Sequence, residues 1–574
     1  MDLAPDTKQQ ILSTSLLDAR DALDLIAVAG SRENVGKDDL KQGPSATSHQ
    51  FTGVRPATKS WDRFFLVKRG IIRPHEAVEY LDFYFSQLWH LFPVIPEYYS
   101  SSDHYGSLVA EEPVLTISLV TIASRYHALS GFNGKARSER IHWRTWPWVQ
   151  RLFQSSMWGS SAMRSLGAIA ALLLFIEWHP MAINSPEDLI SDYGESELFD
   201  PQSQIPEAAE PTETYRRPGL SSIPERLNKV APAYRSNKMS WMLLSTAISL
   251  AQEMGCLDEE QVLGHADSSL ARDSIRLEWI HILSTFVRLT DESLALRLRL
   301  EPHLANGSWM EVIDHLPSSF MVDGVLESTV DLATHMRKAR ELLRSWRRHH
   351  QGSGPAVPIT AWESFRRGLD RWGKHRQFSR TDLSLRGACL DIEYYYVRLC
   401  GFSPAAHMFE RSPETHPGDI YVESLSQFAE EATEASVNML ELAIQCFTLP
   451  KPFTYAAATL KTEEQLDSTN PYIGLIMKVV DATRQGAPDD IHMSQRYATL
   501  LDILIKAALR TSSASISRSS YSNTVLTGTS LMESNDLDLG DDLIYGIYDS
   551  NFWDTLPDMV RLYSVPNSIM SSFE

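Results

Sequence analysis

The amino-acid sequence predicts an all-α fold, a large helical bundle or a solenoid-like body. Three observations carry this. Apolar residues recur at helical spacing along most of the chain, alternating strand patterns are scarce, and Pro and Gly punctuate the periodic runs where helices start and stop.

In chain order, Val78, Leu81, Phe85, Leu88 and Phe92 define the first apolar stripe, with Pro74 near its start and Glu76 and Glu79 suited to the positive N-terminal end. Leu115, Leu119, Ile122, Tyr126 and Leu129 form a second after Pro113. Leu166, Ile169, Leu173 and Ile176 form a third that stops at Pro180. Met239 to Met254 carries two stripes, one of Trp241, Leu244, Ile248 and Ala251 and one of Leu243, Ala247, Leu250 and Met254, so it is expected to be buried on most sides, with Gly255 as its stop. Ile275, Trp279, Ile282, Phe286 and Leu289 predict a long helix, and Cys389, Ile392, Tyr396 and Leu399 another.

Three segments break the pattern: 31–60 is polar, 184–238 is rich in Pro, Glu and Ser, and the chain from 511 onward is first Ser-rich and then acidic and aromatic. Too few apolar side chains are present in such stretches to offset ordering entropy, so 184–238 is expected to be disordered. The organisation that follows is an N-terminal helix and polar linker over 1–60, a helical body over 61–510, and a tail over 511–574. No repeat of fixed period is present, although consecutive helix pairs leave a solenoid open.

The chain has 574 residues, more than one hydrophobic core usually organises, and its 43% hydrophobic and 22% charged residues are ordinary for a folded protein. Its formal charge of −20 repels phosphate, which argues against nucleic-acid binding by this chain alone. Four scattered cysteines, Cys256, Cys389, Cys400 and Cys446, make no disulfide framework, favour a reducing intracellular setting and read as buried small hydrophobes. The N-terminus lacks the pattern of a secretory signal, and the apolar run from Leu166 to Ile176 is short of the ~20 residues that span a bilayer, so no membrane association is expected.

Catalytic signatures are missing. Glu79 stands where a zincin would have its second histidine after His75-Glu76, and there is no phosphate loop, dinucleotide turn or nucleophile elbow. Asp541-Asp542 has Tyr545 where a magnesium-binding cyclase motif needs a third acid. The chain is therefore read as a non-enzyme, with no catalytic or metal-ligating residues. Trp143, Trp146 and Trp148 suit core packing better than a ligand cavity, and His179 suits a helix end better than a ligand role. Arg337, Lys338, Arg340, Arg344, Arg347 and Arg348 make one helix basic, a face expected to pair with acids of this same acidic chain in preference to DNA.

Several segments resemble a known family. Tyr84-Phe85 through His90 to Ile95, followed by Pro113 to Ser130, looks like the opening of the fungal-specific transcription factor domain, the middle homology region of fungal zinc-cluster transcription factors. Ser240 to Cys256 resembles a helix of that family at Trp241, Ala247, Leu250, Ala251 and Gly255, and Ile275 to Leu300 resembles a later one, where Asp291, Arg297 and Glu278-Trp279 fit loosely. Arg164 to Pro180 is similar to a subgroup that includes regulators of nitrogen-source use. The resemblance spans about Gly70 to Phe402.

What it implies is a helical, non-enzymatic body of a nuclear regulator of RNA polymerase II transcription, often dimeric, acting on a nitrogen-source or secondary metabolic pathway. The family's zinc cluster of six closely spaced cysteines is not matched, since no cysteine precedes Cys256. No cofactor is expected in this chain, and zinc only in a missing N-terminal cluster. DNA would be reached through that cluster or through a partner's. The expected partners are coactivator or mediator-type proteins, a second copy or a paralogue, and a small-molecule effector. The expected activation segment lies in the tail, where Asp541, Asp542, Leu543, Ile544, Tyr545, Tyr548, Phe552 and Trp553 interleave acid with apolar side chains and no Lys or Arg occurs between Leu531 and Asp558. Two other readings stay open: a small-molecule enzyme on a helical scaffold, and a cluster-less modulator that binds a full-length paralogue.

Overall fold

A computed structural model describes residues 61–184, 223–257, 271–304, 324–379, 385–410, 420–448 and 471–502, apart from single positions 132 and 351 and a few between 490 and 500. Among the described residues there are thirteen α-helices and no strand. The expected 1–60 segment, the tail and its activation residues lie outside them.

The first helices are α1 (Phe65–Lys68), α2 (Pro74–Phe83), α3 (Tyr105–Glu111), α4 (Pro113–Tyr126), α5 (Gly134–Ser156) and α6 (Leu166–Glu177). Pro74 opens α2, where its fixed φ is pre-set and no donor is missed, and the Glu76 carboxylate accepts the backbone N–H of Arg73 at 2.8 Å. The stripe predicted to run on to Phe92 does not stay α-helical. Tyr84–Leu88 widens into a π-helix, with Trp89 N–H donating to Tyr84 O at 2.9 Å, and the helix ends there. Phe92 comes after the end, where the Trp89 indole donates to Ile95 O at 2.7 Å and pins the turn.

In α4 every side chain from Val114 to Arg125 is buried, hydroxyls included. Thr116, Ser118 and Thr121 satisfy their hydroxyls on carbonyls four residues back, at 2.8–2.9 Å. Leu129 is buried as the spacing predicts, but it lies past the helix end at Tyr126.

Ser165 caps α6 by accepting the N–H of Ala168 at 3.1 Å. Residues Leu166 to Ile176 are all buried, so the helix has no solvent face where the sequence reading had one stripe. It packs on α4 and on the next two helices, α7 (Ile223–Glu253) and α8 (Ala271–Leu298).

Helix α7 begins at Ile223, inside the segment expected to be disordered, so 223–238 is a correction to that reading. Its polar residues Ser236, Asn237 and Ser240 are buried against the protein, which composition alone does not disclose. Gly255 ends the helix as expected: at φ 69° it lets Cys256 N–H reach Ala251 O at 2.8 Å, the bond that closes a Schellman turn.

The remaining helices are α9 (Val325–His350), α10 (Ile359–Ser379), α11 (Leu385–Glu410), α12 (Ile420–Thr448) and α13 (Pro471–Gln485). Helix α9 packs on α8, α10 and α11, and α6 on α4, α7 and α8. Contacts that skip chain neighbours are those of a bundle; a solenoid's units touch only the next in line. One continuous core runs from Trp61 to Met439. Cys256, Cys400 and Cys446 are buried as expected, whereas Cys389 is exposed, a correction.

Candidate functional site

Helix α6 is apolar along its length and then delivers polar side chains at its C-terminal end. Glu177 is the last helical residue, and Trp178 and His179 follow it. His179 Nε2 lies 2.8 Å from Ser236 Oγ and 3.1 Å from Ser240 Oγ, two serines one turn apart on α7. Burial, then the positive charges of Arg297 and Arg125, pull its pKa down to about 3, so this ring is neutral. Arg125, enclosed in α4, donates to the His179 carbonyl and to the Asp489 carboxylate at 2.8 Å. His142 on α5 is held in the same neutral state. Its Nδ1 faces Thr121 O at 2.8 Å, its Nε2 accepts Met181 N–H at 3.1 Å, and burial lowers its pKa to about 4.

Glu177 joins a charged centre contributed by three helices. Its neighbours Phe175 and Ile176 are sealed whereas Glu177 itself is exposed, and the protein crowded around it raises its pKa above the ordinary carboxylate range. Glu393 on α11 faces the same region: burial, followed by the nearby Glu177 charge, pushes its pKa up to about 7. Ser293 Oγ on α8 donates to Glu393 Oε1 at 3.3 Å. One helical turn further along α8, Arg297 offsets both carboxylates electrostatically, and its buried Nε has no hydrogen-bond partner. On α7, between the two serines that hold His179, Asn237 is 5% exposed and neither its amide nitrogen nor its oxygen is hydrogen bonded. Tyr84 and Phe92 stand edge-on to Trp178, with ring centroids at 6.4 and 6.2 Å.

An open groove of about 760 Å³ runs beside the π-helix, lined in part by Glu79, Asp82, Trp89, Glu97, Tyr105 and His127. Two of its acids, Glu79 and Asp82, are already engaged. Burial alone would raise the Glu79 carboxyl, but hydrogen bonds from His127 at 2.9 Å and from Ser130 N–H at 2.8 Å bring it below its ordinary range. Asp82 accepts the Tyr105 hydroxyl at 2.8 Å.

The residues singled out from the sequence fall in several places. Ala247, Leu250 and Ala251 are core, and Gly255 is the turn described above. Trp241 is only half-buried and tilts over His303 with centroids 4.0 Å apart. The three tryptophans of α5 do not converge: Trp146 is buried against Phe175, Trp148 meets Phe65, and Trp143 is 36% exposed. Asp291 is structural, accepting the N–H groups of His303 and Leu304 at 3.0 and 2.8 Å, and Trp279 donates to Val94 O at 2.9 Å. Three arginines of the basic face of α9 are paired internally. Arg337 meets Glu292 at 2.7 Å, Arg340 meets Glu292 and Glu301 at 3.4 and 3.0 Å, and Arg344 meets Glu301 at 2.6 Å.

Sequence reasoning missed Glu393 and Asn237 and treated Glu177 merely as the end of an apolar run. The available signal was an ionisable residue at the end of a helix with no polar face. Among the described residues no cluster of His, Cys, Asp and Glu has the makings of a metal site, and no helix is long and apolar enough to cross a membrane.

No family model matches the chain, and no solved structure matches it. The chain is similar to the transcription factor hmgR of Aspergillus fumigatus, with 27% identity over 496 residues. That stretch covers 77% of this chain and 63% of the relative, so the chain is the distant relative of a fungal transcription factor and matches under two thirds of its length.

Proposed function

We propose that this protein regulates RNA polymerase II transcription in the nucleus of a fungus, as the effector-sensing and protein-interaction body of a zinc-cluster type factor. The observation that carries the reading is the similarity to hmgR across most of the chain. The sensing part is supported by polar atoms left unmet on α7 and α8, where Arg297 Nε and the Asn237 amide are buried without hydrogen-bond partners. Occupation of the charged centre would shift the body between two packings and so expose or withhold the acidic aromatic tail from coactivators. Base-specific contact with DNA would come from a zinc cluster outside this sequence or on a partner chain, since Arg337, Arg340 and Arg344 of the basic face of α9 are held in internal ion pairs. The target genes proposed are those of a nitrogen-source or secondary metabolic pathway.

The test is a fusion of the full chain to an unrelated DNA-binding domain in a fungal reporter strain. Reporter output that departs from that of the DNA-binding domain alone, upward for an activator or downward for a repressor, is the expected result. Output equal to that control, with the fusion present in the nucleus, refutes the reading.

A further inference from the structure

In a chain of formal charge −20, helix α5 carries five cations, Lys135, Arg137, Arg140, Arg144 and Arg151, against the single carboxylate of Glu139. Arg137 is turned inward and meets Glu76 at 2.9 Å. Arg140, Arg144 and Arg151, four and seven residues apart, share one exposed face of the helix over about 16 Å. Among the described residues none of these three has an ion pair, in contrast to Arg337, Arg340 and Arg344 of α9, which meet Glu292 or Glu301.

Apolar surface accompanies the charge. Trp143, beside Arg144, is 36% exposed. The Arg151 guanidinium lies 5.6 Å from the centroid of the Trp148 ring, and Arg69, just past α1, lies at the same distance, so the basic strip continues onto the neighbouring segment. In the turn that follows α5, Met157 and Trp158 are 79% and 85% exposed. Large apolar side chains left in water beside unpaired cations mark a surface that a partner covers.

We infer that this strip is the docking surface of the chain's own acidic segment, Leu531 to Asp558. That segment has eight carboxylates and no Lys or Arg, interleaved with Tyr545, Tyr548, Phe552 and Trp553, so it supplies counter-charge to the arginines and apolar cover to Met157 and Trp158 together. It is also within reach. Asp489 is tied to Arg125 of α4, and α4 is tied to α5 through His142 and the Thr121 carbonyl, so the chain passes beside this helix on its way to the tail. The 29 residues from Asp502 to Leu531 span up to about 100 Å when extended, against about 35 Å for the whole of α5. Two other occupants fit less well. A second copy offering the same face would set arginine against arginine. The phosphates of a duplex would pair the arginines but leave Met157 and Trp158 in water.

The test is made on the full chain. Arg140→Lys, Arg144→Lys and Arg151→Lys are introduced together, which conserves charge and places three amines on the strip. A carbodiimide then joins amines to carboxylates in contact with them, and peptide mass spectrometry locates the links. At low salt, links from these three lysines to the acids between Glu533 and Asp558 are expected to exceed, by about tenfold, links from the same acids to Lys338 and Lys374, which are exposed on α9 and α10. At 1 M salt they are expected to vanish, because the screening length falls to about 3 Å. In a second variant, Arg140→Glu, Arg144→Glu and Arg151→Glu together are expected to quicken hydrogen exchange in 531–558 by about tenfold. Exchange in the core helices stays at the parent's rate, since the three side chains are exposed.

Links shared evenly with Lys338 and Lys374, links unmoved by 1 M salt, or no links to the segment overturn the inference. So do links that join two molecules in an isotope-mixed sample, which would make the occupant another copy's tail, and links displaced by duplex DNA at physiological salt, which would make the strip a phosphate surface. The docking concerns the tail on which the regulatory reading relies, but these measurements do not involve transcription. A silent reporter fusion with the links intact refutes the regulatory reading alone, and an active fusion without them refutes the docking alone.

Discussion

Two glycines in helices, Gly401 in α11 and Gly474 in α13, offer the same substitution with opposite expected signs. At Gly401 the ring of Phe365 from α10 lies directly on the backbone: an added Cβ would come 2.1 Å from Phe365 Cε1 and 2.5 Å from Cζ. Trp362, fully buried, donates its indole N–H to the Gly401 carbonyl at 3.2 Å, so the α10–α11 crossing is fixed at that point. Gly401→Ala gains about 1 kcal/mol of helix propensity. Against it stand overpacking at about 1–3 kcal/mol and weakening of the Trp362 bond at about 1 kcal/mol, so the net is a loss of about 1–3 kcal/mol. At Gly474 a Cβ meets nothing within 4 Å, and Gly474→Ala is expected to stabilise by about 0.5–1 kcal/mol. Urea unfolding followed by circular dichroism, comparing midpoints at equal slope, measures both. The double variant Gly401→Ala with Phe365→Leu should recover part of the loss because the ring is what clashes. A Gly401→Ala protein as stable as the parent would refute the close crossing of α10 and α11.

Three further predictions follow from positions described above. Trp241→Ala is expected to cost about 2 kcal/mol, below the 3–5 kcal/mol of a fully buried indole, because Trp241 is half-buried, while Ala247→Asp costs more by placing a charge in the sealed core; the reverse order in melting experiments would show the core to be misplaced. The folded-state pKa of His142, about 4, lies below its unfolded value of about 6.5, so its contribution of about 3 kcal/mol is complete above pH 6.5 and declines as pH falls toward 4; His142→Gln should flatten the stability profile over that window, and an unaltered slope would refute it. A fusion of Leu531 to Glu574 to an unrelated DNA-binding domain is expected to activate a reporter, and to lose that output when Tyr545, Tyr548, Phe552 and Trp553 become alanine; silence, or indifference to the four changes, removes the activation role.

The helical class and most core positions were legible because helix periodicity is a local property. Leu244, Ala247, Ile248 and Ala251 are buried as their spacing requires, and the glycine signal at 255 marks the observed stop. The failures share one cause, which is that burial is decided by partners the sequence does not name. Residues 223–238 read as part of a disordered insertion because Ser236 and Asn237 look like solvent-facing side chains, whereas both are buried and Ser236 meets His179 just past the end of α6. The stripe drawn through to Phe92 assumed 3.6 residues per turn, and Tyr84–Leu88 does not keep that period. The charged centre was the least legible. Its members, Glu177, Asn237, Arg297 and Glu393, are spread over four helices, and each by itself looks like an ordinary surface residue of an acidic chain.

The π-helix at Tyr84–Leu88 also bears on how this chain compares with its relatives. A five-residue hydrogen-bonded loop, such as the one closed from Trp89 N–H to Tyr84 O, is an α-helix that has gained one residue. Before it, Tyr80 and Leu81 are anchored in the core, and after it Val94 and Ile95 are anchored too, so the extra residue is absorbed locally and both flanks keep their packing. Homologues are therefore expected to align across this stretch with a single-position gap and conserved apolar flanks, a gap marking geometry instead of a sequencing or alignment fault. Ser86, exposed at the outer side of the swelling, is the residue whose deletion the fold can best accommodate, since closing the loop there restores α-helical hydrogen bonding without withdrawing a core side chain.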